Sequence, residues 1–282
     1  MAFAIFIGEI DVSVGANLGF TATVAGCMLR DGENWALAFA TGILIGAAIG
    51  LFNGWGVSVM GVPSLIFTLG TNGVMRGMMY VYTGGAWVEN LPAEFKALYT
   101  APFAGGVTAS FAIAALVVVA VHLLLKYTKR GRYFIAVGDN PAGAALVGIP
   151  ATQTKVAAYI ICGIFASVAG MVFASRVGFV TATSGNGYEM KAVAACVLGG
   201  ISLSGGVGSV IGASIGAVIM ASISRLLVFM DLGSTYDNTI TGIMLLAIVV
   251  VDALVQSRNA ELNRRQRLAA RTASGKGGNE NE

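Results

Sequence analysis

An all-α polytopic membrane protein, folded as a helical bundle, is the class that this sequence predicts, and three observations predict it. Hydrophobic residues make up 56% of the 282 positions and charged residues only 11%, with a mean hydropathy of +0.79, whereas soluble domains carry about 25% charged residues. Apolar runs long enough to cross a hydrocarbon core of roughly 30 Å recur along the chain. The 39 glycines would disrupt soluble helices, yet in lipid small residues let helix backbones approach closely.

The first segment, MAFAIFI, is an apolar stub too short to span. It lacks the basic region and cleavage site of a signal peptide, and reads as the tail end of a helix whose beginning is absent from this chain. Spans are expected over Val12–Leu29, Trp35–Gly54, Pro63–Tyr82, Phe103–Leu125, Val156–Ala174, Val210–Met230 and Ile240–Leu254. Between Val156–Ala174 and Val210–Met230 lies Lys191–Ile201, which at roughly 1.5 Å per residue reaches only about 16 Å and is a half-helix at best. The expectation is therefore about seven spans plus one short broken helix.

That short run passes through Gly199, Gly200, Ser202, Ser204, Gly205, Gly206 and Gly208 before the next apolar run. Irregular backbone at membrane depth survives only where protein or a water-filled cavity covers it. Spacing alone fits equally a break within the membrane and a tight cytoplasmic turn between a short tilted helix and a normal one. The topology and an internal echo favour a short crossing that enters a structured turn near a translocation path. The echo pairs GEIDVSVG, Gly8–Gly15, with GGISLSGG, Gly199–Gly206, each followed by an apolar helix with glycine at every fourth place: Gly15 and Gly19, then Gly208, Gly212 and Gly216. Internal repeats around broken helices occur in transporters. In the Trp35 helix, Gly42, Gly46, Gly50 and Gly54 share one face, which must meet another helix to offset the helix propensity it gives up.

Charge sets the orientation. Lys126, Lys129, Arg130, Arg132 and Lys155 cluster in one connection, and Arg258, Arg264, Arg265, Arg267, Arg271 and Lys276 end the chain, together eleven of seventeen basic residues. The positive-inside rule puts both clusters in the cytoplasm and the Trp87–Tyr99 loop outside. The division is a transmembrane domain over 1–255, with a cytoplasmic coupling segment at 131–155, and a basic polar cytoplasmic tail over 256–282 that is expected to be disordered. Within the coupling segment, Asp139 or Asn140 is placed to cap a short helix starting at Pro141, running to Leu146 and ended by Gly148.

Ionisable residues in or beside spans are Glu9, Asp11, Arg76, Arg176, Glu189, Lys191 and Arg225; each must line a cavity, pair or snorkel. The last four fall near predicted ends and are expected at the interface, whereas Asp11 and Arg76 lie deeper or beside the GEIDVSVG motif. Cys27, Cys162 and Cys196 stand alone, and His122 has no acidic partner within a turn, so no metal site is expected. There is no G-x-x-x-x-G-K-[ST] loop and no nucleophile–base constellation. The chain is not expected to be an enzyme, and energy must come from a partner or a gradient. An ion-coupled secondary carrier of a small polar solute is the alternative reading, disfavoured by the scarcity of mid-span carboxylates.

GEIDVSVGA, VPSLIFTLGTNGVMRGMMYVYTGG, GRYFIAVGDNPAGAALVGI and GYEMKAVAACVLGGISLSGGVGSVIG follow in order between Gly8 and about Asp252. Together they resemble the permease subunits of bacterial ATP-binding-cassette sugar importers, the ribose, xylose, rhamnose and autoinducer group. GGAWVENLPAEFKAL and GYEMKAVAACVLGGISL look most like the autoinducer permeases, with rhamnose permeases close behind. The resemblance implies a multi-pass protein of the bacterial inner membrane with a cytoplasmic C-terminus, paired with a second copy or a sister permease. It implies docking of two cytoplasmic ATPases, which carry the ATP and magnesium, and delivery of a small sugar or sugar-like solute by a periplasmic binding protein. No cofactor on this chain and no nucleic acid are implied. In such families a short cytoplasmic helix seats in a groove of the ATPase, and the matching positions are Asp139, Asn140, Pro141, Ala144, Leu146 and Gly148. Glu9, Asp11, Asn17, Asn72, Arg76 and Ser202 are expected near the substrate pathway. Members begin with about two further spans before the GEIDVSVG-type motif, of which only MAFAIFI stands here.

Overall fold

The computed structural model describes residues 1–102, 106–230, 236–237, 239–254 and 257–258. The expected tail over 256–282 lies almost wholly outside them. Among the described residues the regular structure is helical: α1 (Ala2–Phe6), α2 (Val14–Arg30), α3 (Trp35–Ser58), α4 (Ser64–Thr83), α5 (Ala93–Thr100), α6 (Ala109–Tyr127), α7 (Lys129–Asp139), α8 (Pro141–Leu146), α9 (Ala151–Val177), α10 (Tyr188–Leu198) and α11 (Val210–Phe229), followed by α12 (Thr239–Leu254). Two isolated bridges, Val88–Val180 and Pro102–Thr108, add the only extended pairings among these residues. Every apolar segment expected from the sequence is a helix. Among the described residues α3, α6, α9 and α11 are long and apolar enough to cross a membrane.

The bundle is organised around α9, 27 residues or about 40 Å long. Helix α3 descends along it through the predicted glycine face: Gly42 meets Met171, Gly46 meets Gly163 and Ser167, Gly50 meets Tyr159 and Ile160, and Gly54 meets Val156. A Cβ on Gly46 would lie 2.6 Å from the Gly163 carbonyl oxygen, and one on Gly50 2.7 Å from Ile160 Cα. Backbone thus meets backbone, which recovers by dispersion what the glycines cost in helix propensity.

Helix α2 climbs the other flank of α9, parallel to it. The Asn17 amide donates to the Gly163 carbonyl at 3.2 Å, and Leu18 O fills the space left open at Gly170. Gly163 lies midway along Ala151–Val177, so α2, which starts at Val14, begins at about half the height of the bundle. Helix α1 runs the opposite way beside the lower half of α9: Met1 lies against Cys162, and Glu9 pairs with Lys155 at 2.5 Å. Its Phe3, Ile5 and Phe6 are buried with Phe134, Tyr159 and Ile201. A descending half-helix, an irregular turn over residues 7–13 and an ascending helix therefore stand where the sequence suggested one span preceded by a stub.

Helices α10 and α11 form a second such unit. They are antiparallel, with Gly199 packed on Gly212 and Ala213, and Gly216 packed on the Ala195 carbonyl. The Gly199–Ser209 turn between them uses positive φ at Gly200, Gly205, Gly206 and Gly208 and rests on Gly8, Gly138 and Asp139. It therefore lies at the end of the bundle that carries α7. This corrects the expectation of a break near a translocation path at Gly199–Gly208; that stretch is the tight turn. The break within the bundle precedes α10, at Thr181–Gly187, where the chain turns back inward after α9. The expected run began at Lys191, after this entry, and so revealed only the exit. Glu189, expected at an interface, is instead 9% exposed beside Gly15.

The glycine contacts divide the α3 and α4 glycines into two kinds. Gly50→Leu should destabilise the detergent-solubilised chain by about 3 kcal/mol or prevent its folding, read from thermal unfolding. Gly73 of α4 has open space where its Cβ would point, so Gly73→Ala should leave stability unchanged or raise it by about 0.5–1 kcal/mol.

Candidate functional site

Ser64, Thr68, Asn72 and Arg76 recur at every fourth position of α4 and so form one stripe along its axis. The stripe faces both irregular segments. Ser64 Oγ accepts from Ile10 N at 3.5 Å, and Thr68 Oγ1 accepts from Val12 N at 3.1 Å while donating to the Ser64 carbonyl at 2.7 Å. Asn72 Nδ2 donates to Val12 O at 2.9 Å. One turn further, Arg76 Nη1 donates to Ser184 O at 2.6 Å and to Ala182 O at 3.3 Å. These backbone groups belong to neither a helix nor a sheet, and an unpaired buried one costs about 1–3 kcal/mol.

Across the inward-turning segment stands α2, cleared by glycine. Gly15 faces the Glu189 carboxylate and the Gly185 carbonyl, and Gly19 faces the Ser184 carbonyl; in each case a Cβ would collide with oxygen. Gly185 and Gly187 adopt φ of 77° and 81°, which turns the chain sharply enough to start α10. Glu189 Oε1 accepts from Gly187 N at 3.2 Å, placing its charge in the first turn of α10, where the helix dipole favours an anion. Arg76 Nη2 and Glu189 Oε2 are buried with no hydrogen-bond partner. Arg76 on α4 and Glu189 on α10 thus flank the inward-turning segment with a guanidinium donor and a carboxylate acceptor that have spare capacity, the donor suited to hydroxyl or carbonyl groups and the acceptor to hydroxyl groups of a polar solute.

A second polar group anchors the entry to α2. Asp11 is 2% exposed, and its Oδ1 accepts from Ser13 N at 3.0 Å and Ser13 Oγ at 2.5 Å. Asn53 Nδ2 of α3 donates to the same Ser13 hydroxyl at 2.8 Å. The carboxylate is thereby spent on shaping a turn at half height.

The basic end is built from α7 and α8. Thr128 caps α7 by accepting from Gly131 N at 2.9 Å, and Asn140 Oδ1 caps α8 by accepting from Gly143 N at 2.9 Å, with Pro141 in the first turn. Of the two capping candidates Asn140 is the cap, and Asp139 closes α7. Ala144 is buried, Leu146 is 89% exposed, Val147 is also exposed, and Gly148 takes φ 80°. At the root of α8, Gly206 N donates to Phe6 O at 2.9 Å. A Cβ on Gly138 would strike Phe6 O, and would lie 2.6 Å from Gly206 N. Gly205 meets Gly8 N at 2.7 Å in the same sense. Three backbone segments, at Gly8, Gly138 and Gly205–Gly206, touch with no side chain between them.

The structure thus brings Asn72 beside the Asp11–Ser13 turn, with Arg76 one turn further along α4 and Asn17 in the first turns of α2. Glu9, paired with Lys155, and Ser202, in the Gly199–Ser209 turn, lie at the α7 end instead. Ser64, Thr68, Ser13 and Asn53 complete the polar set and escaped the sequence reading, although the four-residue spacing of Ser64, Thr68, Asn72 and Arg76 announces the stripe; Glu189, which the sequence placed at an interface, joins them as a buried residue. Among the described residues no three His, Cys, Asp or Glu side chains come together as a metal site.

Residues 1–249 match the branched-chain amino acid transport system / permease component family. The autoinducer 2 import system permease protein LsrC of Yersinia pseudotuberculosis serotype O:1b (strain IP 31758) is 41% identical over 265 residues, covering 94% of this chain and 75% of the relative. LsrC of Escherichia coli O9:H4 (strain HS) is 42% identical over 261 residues, 93% and 76% of the two chains. LsrC of Yersinia enterocolitica serotype O:8 / biotype 1B is 42% identical over 263 residues, 93% and 72%. No solved structure matches the chain. A bundle of apolar helices interrupted by inward-turning backbone, matched along almost its whole length, belongs to the branched-chain amino acid transport system / permease component family of membrane permeases.

Proposed function

We propose that the chain is the transmembrane subunit of an ATP-driven importer that moves a small sugar-like solute of the autoinducer-2 or rhamnose type into the cytoplasm by alternating access. The ATP and magnesium belong to separate cytoplasmic ATPase subunits. A second permease copy or a sister permease completes the pathway, and a periplasmic binding protein delivers the solute. Permeases named for autoinducer 2 import, 41–42% identical to this chain, support the substrate class. The basic α7 region supports a cytoplasmic location for α7, α8 and the C-terminus by the positive-inside rule.

The observation that carries the reading is the side-chain-free junction behind α8. Leu146 and Val147 project outward as a small apolar peg, a shape that fits a groove on a partner. At Gly138 the root of that peg meets the end of α1 and the α10–α11 turn backbone to backbone. Packed backbone has no rotamers with which to absorb a displacement, so movement of α8 is passed to both half-helices. From there the path leads to residues 10–12 and 182–184, which share the α4 stripe. A partner that grips α8 differently in two nucleotide states would thereby bias two arrangements of the pathway, by no more than its difference in affinity for them. Arg76 and Glu189, with Asn72 and Asn17 nearby, are the pathway residues of this account.

Two measurements test it. Leu146→Asp should weaken co-purification of the ATPase subunits by about tenfold or more with no change in the melting of the isolated permease; undiminished association would remove α8 as the docking element. Arg76→Met should reduce uptake of labelled autoinducer 2 at least tenfold in vesicles supplied with ATP, with Arg76→Lys intermediate because it keeps charge but loses the planar fork. Wild-type uptake by Arg76→Met would exclude Arg76 from the pathway.

A further inference from the structure

Helices α10 and α11 touch through Gly199, Gly212 and Gly216 near their turn and separate toward the other end of the bundle. The opening is a cleft of about 580 Å³ lined by Ala195, Ala217 and Met220 on its walls and by Arg176, Lys191 and Arg225 among its charges. Among the described residues one acidic group, Asp237, faces them, and it is already engaged: it pairs with Lys191 and accepts from Ser224 Oγ at 2.9 Å. Arg225 has no ion-pair partner among the described residues, and the Arg176 guanidinium lies 5.6 Å from the Tyr99 ring centroid. Among the described residues the cleft therefore carries two positive charges beyond its one ion pair. Arg176 is the penultimate residue of α9 and Arg225 lies in the last turns of α11, so both stand at the end of the bundle away from α7, where lipid head groups lie. The outward face of α11 carries exposed Ile215, Val218 and Leu226, so the mouth opens beside an apolar belt.

From this juxtaposition we infer that the cleft between α10 and α11 binds an anionic phospholipid, its phosphate between Arg176 and Arg225 and one acyl chain along Ala195, Ala217 and Met220. The arginines match the phosphate in charge and fork geometry. The alanine walls leave a slot that an acyl chain fills and a hydrated anion would not. Such a lipid would wedge the wide end of the α10–α11 hairpin, while Gly199 and Gly212 clamp the narrow end. This inference needs only that the chain lies in a bilayer and does not depend on the solute transported.

The test is native mass spectrometry of the full chain in mild detergent, with phosphatidylglycerol or phosphatidylcholine added at equal concentration. Phosphatidylglycerol should be retained preferentially, and Arg176→Gln or Arg225→Gln should each reduce its retention about fivefold, with the double variant additive. Arg225→Lys should retain most of the binding. Ala217→Trp, which fills the acyl slot and keeps every charge, should also lose the lipid, so the proposal stays testable if the double variant does not fold. Glycerol 3-phosphate should fail to displace the lipid. Equal retention of the two lipids, unchanged retention in the arginine variants, or full displacement by glycerol 3-phosphate, which marks a soluble-anion site, would each overturn the proposal.

Discussion

Backbone that leaves its helix inside an apolar bundle must find hydrogen-bond partners there, because the surrounding hydrocarbon offers none. Among the described residues the chain does this at residues 7–13 and 181–187, and one face of α4 supplies partners to both. Ser64, Thr68 and Asn72 take the groups at Ile10 and Val12, and Arg76 takes the carbonyls of Ala182 and Ser184. Without that stripe α2 and the half-helix α10 would have no supported way to begin at half height.

Close approach is the complementary requirement. An inward-turning segment has room only where the facing helix lacks side chains, and Gly15 and Gly19 clear α2 at the two places where the carbonyls of Gly185 and Ser184 arrive. The same device fixes α3 to α9 and joins Gly8, Gly138 and Gly205–Gly206 at the basic end. Rigid seams and one polar stripe then divide the work. The seams hold α3 against α9, and the stripe connects the two irregular segments.

Much of this architecture was legible beforehand, since each apolar run became a helix and the glycine face of α3 met a helix as its spacing required. The short helix from Pro141 to Leu146 was also legible, because capping, a first-turn proline and a left-handed glycine are local signals. The location of the break was not. Thr181–Gly187 reads as an ordinary Gly/Ser/Thr loop, and its depth is set only by tertiary contacts with Gly15, Gly19 and Arg76. Glu189 was misjudged for the same reason: proximity to a predicted end says nothing of depth when the helix itself starts at mid-height. Asn72 and Arg76 stood out as polar residues in an apolar run, whereas Ser64 and Thr68 did not, because hydroxyls that bond their own helix are common in apolar spans.

The central claim is that the α4 stripe holds two separate segments, each through its own residues. Amide hydrogen exchange on the full chain in a bilayer disc tests this most directly, comparing wild type with Thr68→Val and Arg76→Met. The account predicts at least tenfold faster exchange at 10–13 in the first variant and at 182–187 in the second, with the other segment unchanged in each case. Unaltered exchange in both segments, or the same loosening everywhere in both variants, would contradict it.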